Sequence, residues 1–322
     1  MTSLNPGDQL DYFRIDSAVA RSGMATIFRA TDLRSNQTVA IKIPHPEMES
    51  DPVFYERFQR EAEIGRTMSH PAVMRVMPDE SSGRVYMVME WVEGRLLREI
   101  LAAERTLQLE RAIRITTAIC SALEYLHNHG VAHRDLKPEN VMVDGQDRIK
   151  LIDFGIAAKT GARRITFGKF SQLMGTPEYI SPEQVSGKRG DGRSDIFALG
   201  VMLFEMLTAK TPFPGETPLK VMNSRLKNGP LPLRGLDSTI SRELEETIYR
   251  ALERDPAHRY ANASEFARDL THPEQVVVGQ HGTAGAAAWQ EQPLPRRIAF
   301  YSALAAIPAV IFTLLIYVAR NS

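Results

Sequence analysis

His133-Arg134-Asp135-Leu136-Lys137-Pro138-Glu139-Asn140 is the stretch on which the fold turns. It sets an ammonium two residues and a side-chain amide five residues after the carboxylate of Asp135. Eighteen residues beyond Asp135 stands Asp153-Phe154-Gly155, preceded by the mostly apolar run Ile149–Ile152. Upstream, Val39-Ala40-Ile41-Lys42 falls in a short apolar run that predicts a strand. Any one of these segments arises by chance. All of them together, in this order and at these spacings, form a specific pattern.

Around these segments the periodicity changes along the chain. Alternating or short apolar runs at 12–19, 26–30, 38–43 and 85–90 predict strands, interrupted by one helix over about 52–68. From Leu107 onward the pattern is helical. Ile115, Ile119, Ala122 and Leu126 recur at spacings of 4, 3 and 4, which makes one face of a helix ending near Gly130. Residues 194–207 predict a second helix that is apolar almost all round. The expectation is an α+β protein with a small β-rich lobe before a larger helical lobe.

These segments together resemble the eukaryotic-type protein serine/threonine kinase family, over about residues 9–270. GVAHRDLKPENVMV and LIDFGIA are especially close to bacterial members. The resemblance implies the bilobal protein-kinase fold, with the N-lobe over about 9–91 and the C-lobe over about 92–270. It also implies ATP and Mg²⁺ (or Mn²⁺ in its place), and Ser/Thr hydroxyls of proteins as acceptors. Asp135 would accept or orient the acceptor's proton. Lys137 would neutralise the transferring group as a point charge. Asn140 and Asp153 would be the metal ligands, hard oxygen donors suited to Mg²⁺. Lys42 would contact the α/β-phosphates, held by a glutamate on the helix behind it. Glu61 and Glu63 are the two candidates, and Glu61, opening the REAE segment, matches the family's helix. Ile27 and Ala40 on one side and Met142 on the other would line the adenine slot. Met89 would stand at the gate of that slot, and Glu90-Trp91-Val92 would form the hinge.

Further landmarks agree with the resemblance. Gly175-Thr176-Pro177-Glu178-Tyr179 is of the serine/threonine type, and Ser181-Pro182-Glu183 stands where the family has A-P-E. Glu183 would pair with Arg259, and Asp195 would tie down the backbone around Arg134.

One segment departs from the pattern. The glycine-rich loop falls on Ala20 to Ile27, and its three glycines are replaced by Ala20, Ser22 and Ala25, while Gly23 stands one position off. Glycine lets a backbone approach phosphates closely and adopt positive φ. Weakened nucleotide binding is the expectation, and it keeps open a second reading as a pseudokinase or scaffold. A small-molecule phosphotransferase of related fold is a third reading, disfavoured by the GTPEYISPEQ segment. In the activation segment the family's usual phosphosite falls on Gln172, so Ser171, with Thr166 and Thr160 behind it, is the expected modification site.

The rest of the chain bounds the function. Of 322 residues, 39 are Lys or Arg and 39 Asp or Glu, so the net charge is zero and a global basic field for nucleic acid is excluded. The lone cysteine, Cys120, allows no intrachain disulfide. Ile298 to Val318 is a run of 21 uncharged residues, long enough at about 1.5 Å per residue to cross a bilayer. Arg296 and Arg297 precede it and Arg320 follows, an asymmetry that favours the N-terminal part in the cytoplasm. The expectation is a single C-terminal transmembrane helix over 298–318 in the cytoplasmic membrane, reached by a flexible linker over 271–297 and followed by a short tail over 319–322. Family members often dimerise and autophosphorylate, so a homodimer is a further implied partner.

Overall fold

The computed structural model describes residues 4–78, 85–153, 158–159 and 177–281. The N-lobe is one antiparallel sheet of five strands in sequence order: β1 (Gln9–Leu10), β2 (Phe13–Arg21), β3 (Ala25–Asp32), β4 (Gln37–Pro44) and β5 (Met87–Glu90). A short helix, α1 (Pro46–Glu49), leads into the longer α2 (Pro52–Thr67). Asp51 caps α2 by accepting hydrogen bonds from the amides of Val53 and Phe54, and Pro52 begins it at a position where no N–H is needed.

Side-chain alternation along β4 decides which residues meet α2. Val39, Ile41 and Ile43 point into one apolar cluster with Phe13, Ile15 and Phe28. Ala40, one step out of phase, joins a different cluster with Phe54, Phe58 and Ala62 of α2. The period of two puts Lys42 on the same face as Ala40, towards the helix. Burying each of the two phenylalanines stabilises this contact by about 1.5–3 kcal/mol.

The C-lobe is helical. Its elements are β6 (Arg95–Leu96), α3 (Leu97–Glu104), α4 (Leu109–Asn128), β7 (Val131–Ala132), β8 (Val141–Val143), β9 (Ile149–Leu151) and β10 (Ala158–Lys159). Helices α5 (Pro182–Val185), α6 (Gly192–Thr208), α7 (Pro218–Lys227), α8 (Leu233–Leu236), α9 (Arg242–Ala251) and α10 (Ala263–Thr271) complete it. Strands β6, β8 and β9 form a small sheet, and β7 pairs with β10. Helix α6 is buried from Ser194 to Phe204 without a break. A helix apolar all round has to lie inside the core, and α4 and α9 pack against it, with α10 lying on α4 and α9, in one cluster of side chains.

The lobes join through residues 91–94. Gly94 has φ +145°, and a Cβ there would lie 2.5 Å from the main-chain oxygen of Val143, so only glycine fits. Ile152 of the C-lobe packs into the α2-facing cluster of the N-lobe, which makes the interlobe seam apolar.

Two expectations need adjustment. The Ala20–Ile27 segment is mostly strand, because β2 runs to Arg21 and β3 starts at Ala25, leaving Ser22–Met24 as the turn. The chain after 270 is held at first. The buried carboxylate of Glu246 on α9 accepts hydrogen bonds from the amides of Gly279 (3.0 Å), Gln280 (2.8 Å) and His281 (2.5 Å). His281 Nδ1 also lies 2.8 Å from Glu253 Oε1. Among the described residues no helix is long and apolar enough to cross a membrane. The run 298–318 lies outside those residues, as do 282–297, Phe154, Gly155, Gly175, Thr176, Ser171, Thr166 and Thr160.

Candidate active site

The site forms where β4, α2, the loop around Asp135 and the end of β9 converge. Lys42 Nζ donates to Glu61 Oε1 at 2.9 Å and to Asp153 Oδ1 at 3.3 Å. Glu61 is 5% exposed, on the same face of α2 as the buried Phe54, Phe58 and Ala62. Glu63, two residues on, is exposed. A helix turns about 100° per residue, so only one of the pair can face Lys42. One ammonium is thus shared by two carboxylates. Burial works against the charge on Lys42, but Asp153 and Glu61 outweigh it and hold the ammonium. Burial also pushes both carboxylates up. Lys42 outweighs it at Asp153, which is held below the usual range, whereas Glu61 is left raised.

Asp135 sits on a loop fixed from behind. The fully buried carboxylate of Asp195, in the first turn of α6, accepts hydrogen bonds from the amides of His133 (2.9 Å) and Arg134 (2.7 Å) and pairs with His127 Nε2 (2.8 Å). Burial raises its pKa, but the bond and charge of His127 outweigh that and keep it low. Its place near a helix N-terminus also favours the anion. The bracing holds Arg134 at φ +65°, a conformation a non-glycine residue adopts only when its surroundings demand it. In front, Lys137 Nζ lies 2.8 Å from Asp135 Oδ2. Asn140 Nδ2 donates to the main-chain oxygen of Asp135 at 2.7 Å. That bond uses the amide nitrogen of Asn140 and not its carbonyl oxygen. Ile152 N donates to Asn140 O at 3.1 Å, which brings the Asn140 turn beside Asp153. A side-chain carbonyl and an ionised carboxylate are donors that suit a hard divalent cation.

The slot expected for adenine has Ile27 and Ala40 packed with Met89, Trp91 and Ile152. Met142 is half-buried on β8. Val92 lies in the connection between the lobes. The side chain of Glu90 does something the motifs did not signal. It accepts from the amide of Arg75 (2.7 Å) and from Lys150 Nζ on β9, tying the hinge to both lobes.

The degenerate loop is closed by its own side chain. Ser22 Oγ accepts from the amides of Met24 (3.2 Å) and Ala25 (3.1 Å) and donates to Ala25 O (3.1 Å). Ala25 is buried within the β3–β4 pairing opposite Pro44, so its Cβ is accommodated, and Ala20 pairs with Ile27 beyond a bulge in β2.

Other functional side chains carried no sequence signal. Arg98 on α3 donates to Glu139 (3.0 Å), to Glu205 (2.8 Å) and to the hydroxyl of Tyr179. Glu139 belongs to the octet containing Asp135; a lone arginine on an amphipathic helix cannot be recognised as its partner. Arg259, by contrast, was the implied partner of Glu183, and it pairs with it through Nη1 (2.9 Å) and Nη2 (2.7 Å), both groups buried.

A two-lobed structure with a lysine–glutamate pair, a braced carboxylate loop and a metal-suited amide–carboxylate set belongs to a defined class. Residues 13–272 match the protein kinase domain family, and the chain belongs to that family. It is 36% identical over 280 residues to a probable serine/threonine-protein kinase of Streptomyces coelicolor, covering 85% of this chain and 41% of that protein. It is 34% identical over 270 residues to the serine/threonine-protein kinase PknB of Mycobacterium tuberculosis, covering 82% and 43%. The chain therefore spans less than half the length of these relatives. Among solved structures it is similar to the PknI kinase domain of Mycobacterium tuberculosis, with a TM-score of 0.65 and 26% identity, covering 84% of this chain and all of that one.

Proposed function

We propose that this chain is a protein serine/threonine kinase that transfers the γ-phosphoryl group of ATP to Ser/Thr hydroxyls of proteins. The observation that carries the reading is the joint presence of the Lys42–Glu61–Asp153 triad and the Asp135–Lys137–Asn140 loop. Phosphoryl transfer needs in-line alignment and charge compensation, with little covalent work for the protein. Lys42, fixed by Glu61, binds the α/β-phosphates. Asp135 orients the acceptor hydroxyl and takes its proton. Lys137, already beside Asp135, neutralises the transferring group. Asn140 and Asp153 hold Mg²⁺ (or Mn²⁺), which when bound supplies charge neutralisation on the phosphates.

The assay is phosphate transfer from radiolabelled ATP to a generic protein substrate by the full chain. Label that disappears in Asp135→Asn supports the reading. Silence of the wild type with retained nucleotide binding supports the alternative, a pseudokinase, for which the self-closed Ser22 turn is the specific observation. Autophosphorylation on the activation segment, in a homodimer, is part of the same proposal and is read as label on the kinase itself.

We further infer that residues 298–318 anchor the protein in the cytoplasmic membrane with the kinase domain on the cytoplasmic side. The support is the length and lack of charge of that run. Flotation of the full chain with lipid vesicles, lost in a form ending at residue 281, tests it. Equal recovery of both forms in the soluble fraction would overturn it.

A further inference from the structure

Helix α7 buries two side chains, Val221 and Arg225, four residues apart on one face. Arg225 is 1% exposed. Its guanidinium donates to the main-chain oxygens of Pro177 (2.7 Å), Ile180 and Glu178. The rings of Phe197 and Phe213 lie 5.5 and 5.6 Å from its central carbon. Among the described residues it makes no ion pair with a carboxylate. Burial pushes its pKa down to about 10, against the pull of the Glu178 charge.

A buried cation without a paired carboxylate is costly, and an apolar side chain of similar size would fill the space more cheaply. What the arginine does that an apolar residue cannot is gather three carbonyls. Those carbonyls belong to the 3₁₀ turn Pro177–Tyr179 and the residue after it. A single turn leaves its carbonyls without partners of its own. The other face of the same segment meets the loop that carries Asp135. Tyr179 bonds Arg98, which holds Glu139, and from the adjoining α5 Gln184 Nε2 donates to the main-chain oxygen of Arg134 at 3.0 Å. The segment is therefore clamped between α7 on one side and the Asp135 loop on the other.

We propose that Arg225 is a positioning residue for the protein acceptor: by gathering the carbonyls of Pro177, Glu178 and Ile180 it fixes the wall along which the acceptor chain lies beside Asp135. It touches neither nucleotide nor reacting atoms. The inference rests on the protein kinase reading.

The test is steady-state kinetics of the full-length protein with dephosphorylated casein as acceptor, comparing wild type, Arg225→Lys and Arg225→Met, each checked for folding by thermal melting. Arg225→Lys keeps the charge and part of the bonding. It is expected to raise KM for casein by about 3–10-fold, the worth of one or two lost hydrogen bonds. Arg225→Met is expected to raise it further. KM for ATP should stay at its wild-type value in both. Folded variants with unchanged KM for casein would overturn the proposal. So would equal losses towards casein and ATP, or an Arg225→Lys protein that fails to fold, since each assigns the arginine to stability alone. A wild type that transfers nothing to casein while Asp135→Asn is equally silent removes the kinase reading itself, and this inference with it.

Discussion

Ser22 shows what a single hydroxyl can do where a motif is missing. In the family pattern the turn amides face phosphate; here those of Met24 and Ala25 face Ser22 Oγ. A nucleotide phosphate has to displace that hydroxyl to use them. Ser22→Gly is therefore expected to tighten nucleotide binding by about 3–10-fold, the net worth of one hydrogen bond. Ser22→Ala should recover part of the gain, and calorimetry of the two variants with ATP is the measurement. Unchanged affinity in both would show that the hydroxyl does not compete. The motif could register only that glycine is lacking at Ala20, Ser22 and Ala25. It could not register that one replacement folds back onto the loop, because that depends on a χ1 rotamer. Asp135, Lys42 and Asn140 were legible for the opposite reason: their chemistry fixes both their type and their spacing. Arg98 and Arg225 were not, since their partners lie 41 to 107 residues away in the chain.

Among the elements, the Glu183–Arg259 pair joins α5 to the loop before α10. Both charges are buried, and two parallel bonds link them. Glu183→Ala leaves Arg259 buried and unpaired, which costs about 3–5 kcal/mol. In a domain of this size that lowers Tm on the order of 10 °C, read by thermal melting. The pair also sets a pH dependence. Burial raises the Glu183 carboxyl, but Arg259 outweighs it and holds it below the ordinary 4.5. A depressed folded pKa contributes stability that is complete above the unfolded value and lost as pH falls through the folded one. Glu183→Gln should accordingly flatten the acid limb of Tm against pH below about 4.5. An acid limb as steep as the wild type's would assign that limb to other groups. Strands β2 to β5 and helices α2, α4 and α6 were legible from periodicity, because the strands alternate and α4 repeats every three to four residues, whereas α3, α7, α9 and α10 were not read from it. The two-residue strands β1, β6, β7 and β10 and the short helices α1, α5 and α8 were not, since none spans two periods of its own pattern.

Over the whole molecule, the two lobes follow from the change of hydrophobic period between the strand pattern that ends near residue 90 and the helical pattern from Leu107. The boundary near residue 91 follows from the family resemblance, and the seam between the lobes is closed by side chains whose contacts the motifs do not signal. Glu90 is one, bonded to Arg75 and Lys150. Glu246, on α9, holds the stretch that follows α10. Its carboxylate is the acceptor for three consecutive amides, so Glu246→Ala should release 279–281. The expected outcome is faster amide hydrogen exchange at those three positions, by tenfold or more, with exchange in α6 unchanged. Equal protection in the variant would mean that other contacts hold the segment.

That clamp also sets a length. On the membrane reading, the kinase domain is tethered through the residues between its last held position and Ile298. With the clamp closed these are 282–297, 16 residues; counted from the end of α10 at Thr271 they are 272–297, 26 residues. At about 3.5 Å per residue the leash cannot exceed roughly 55 Å in the first case and roughly 90 Å in the second. On that reading, a carboxylate on α9 would limit how far from the membrane the active site can sweep, and with it which acceptors lie within range.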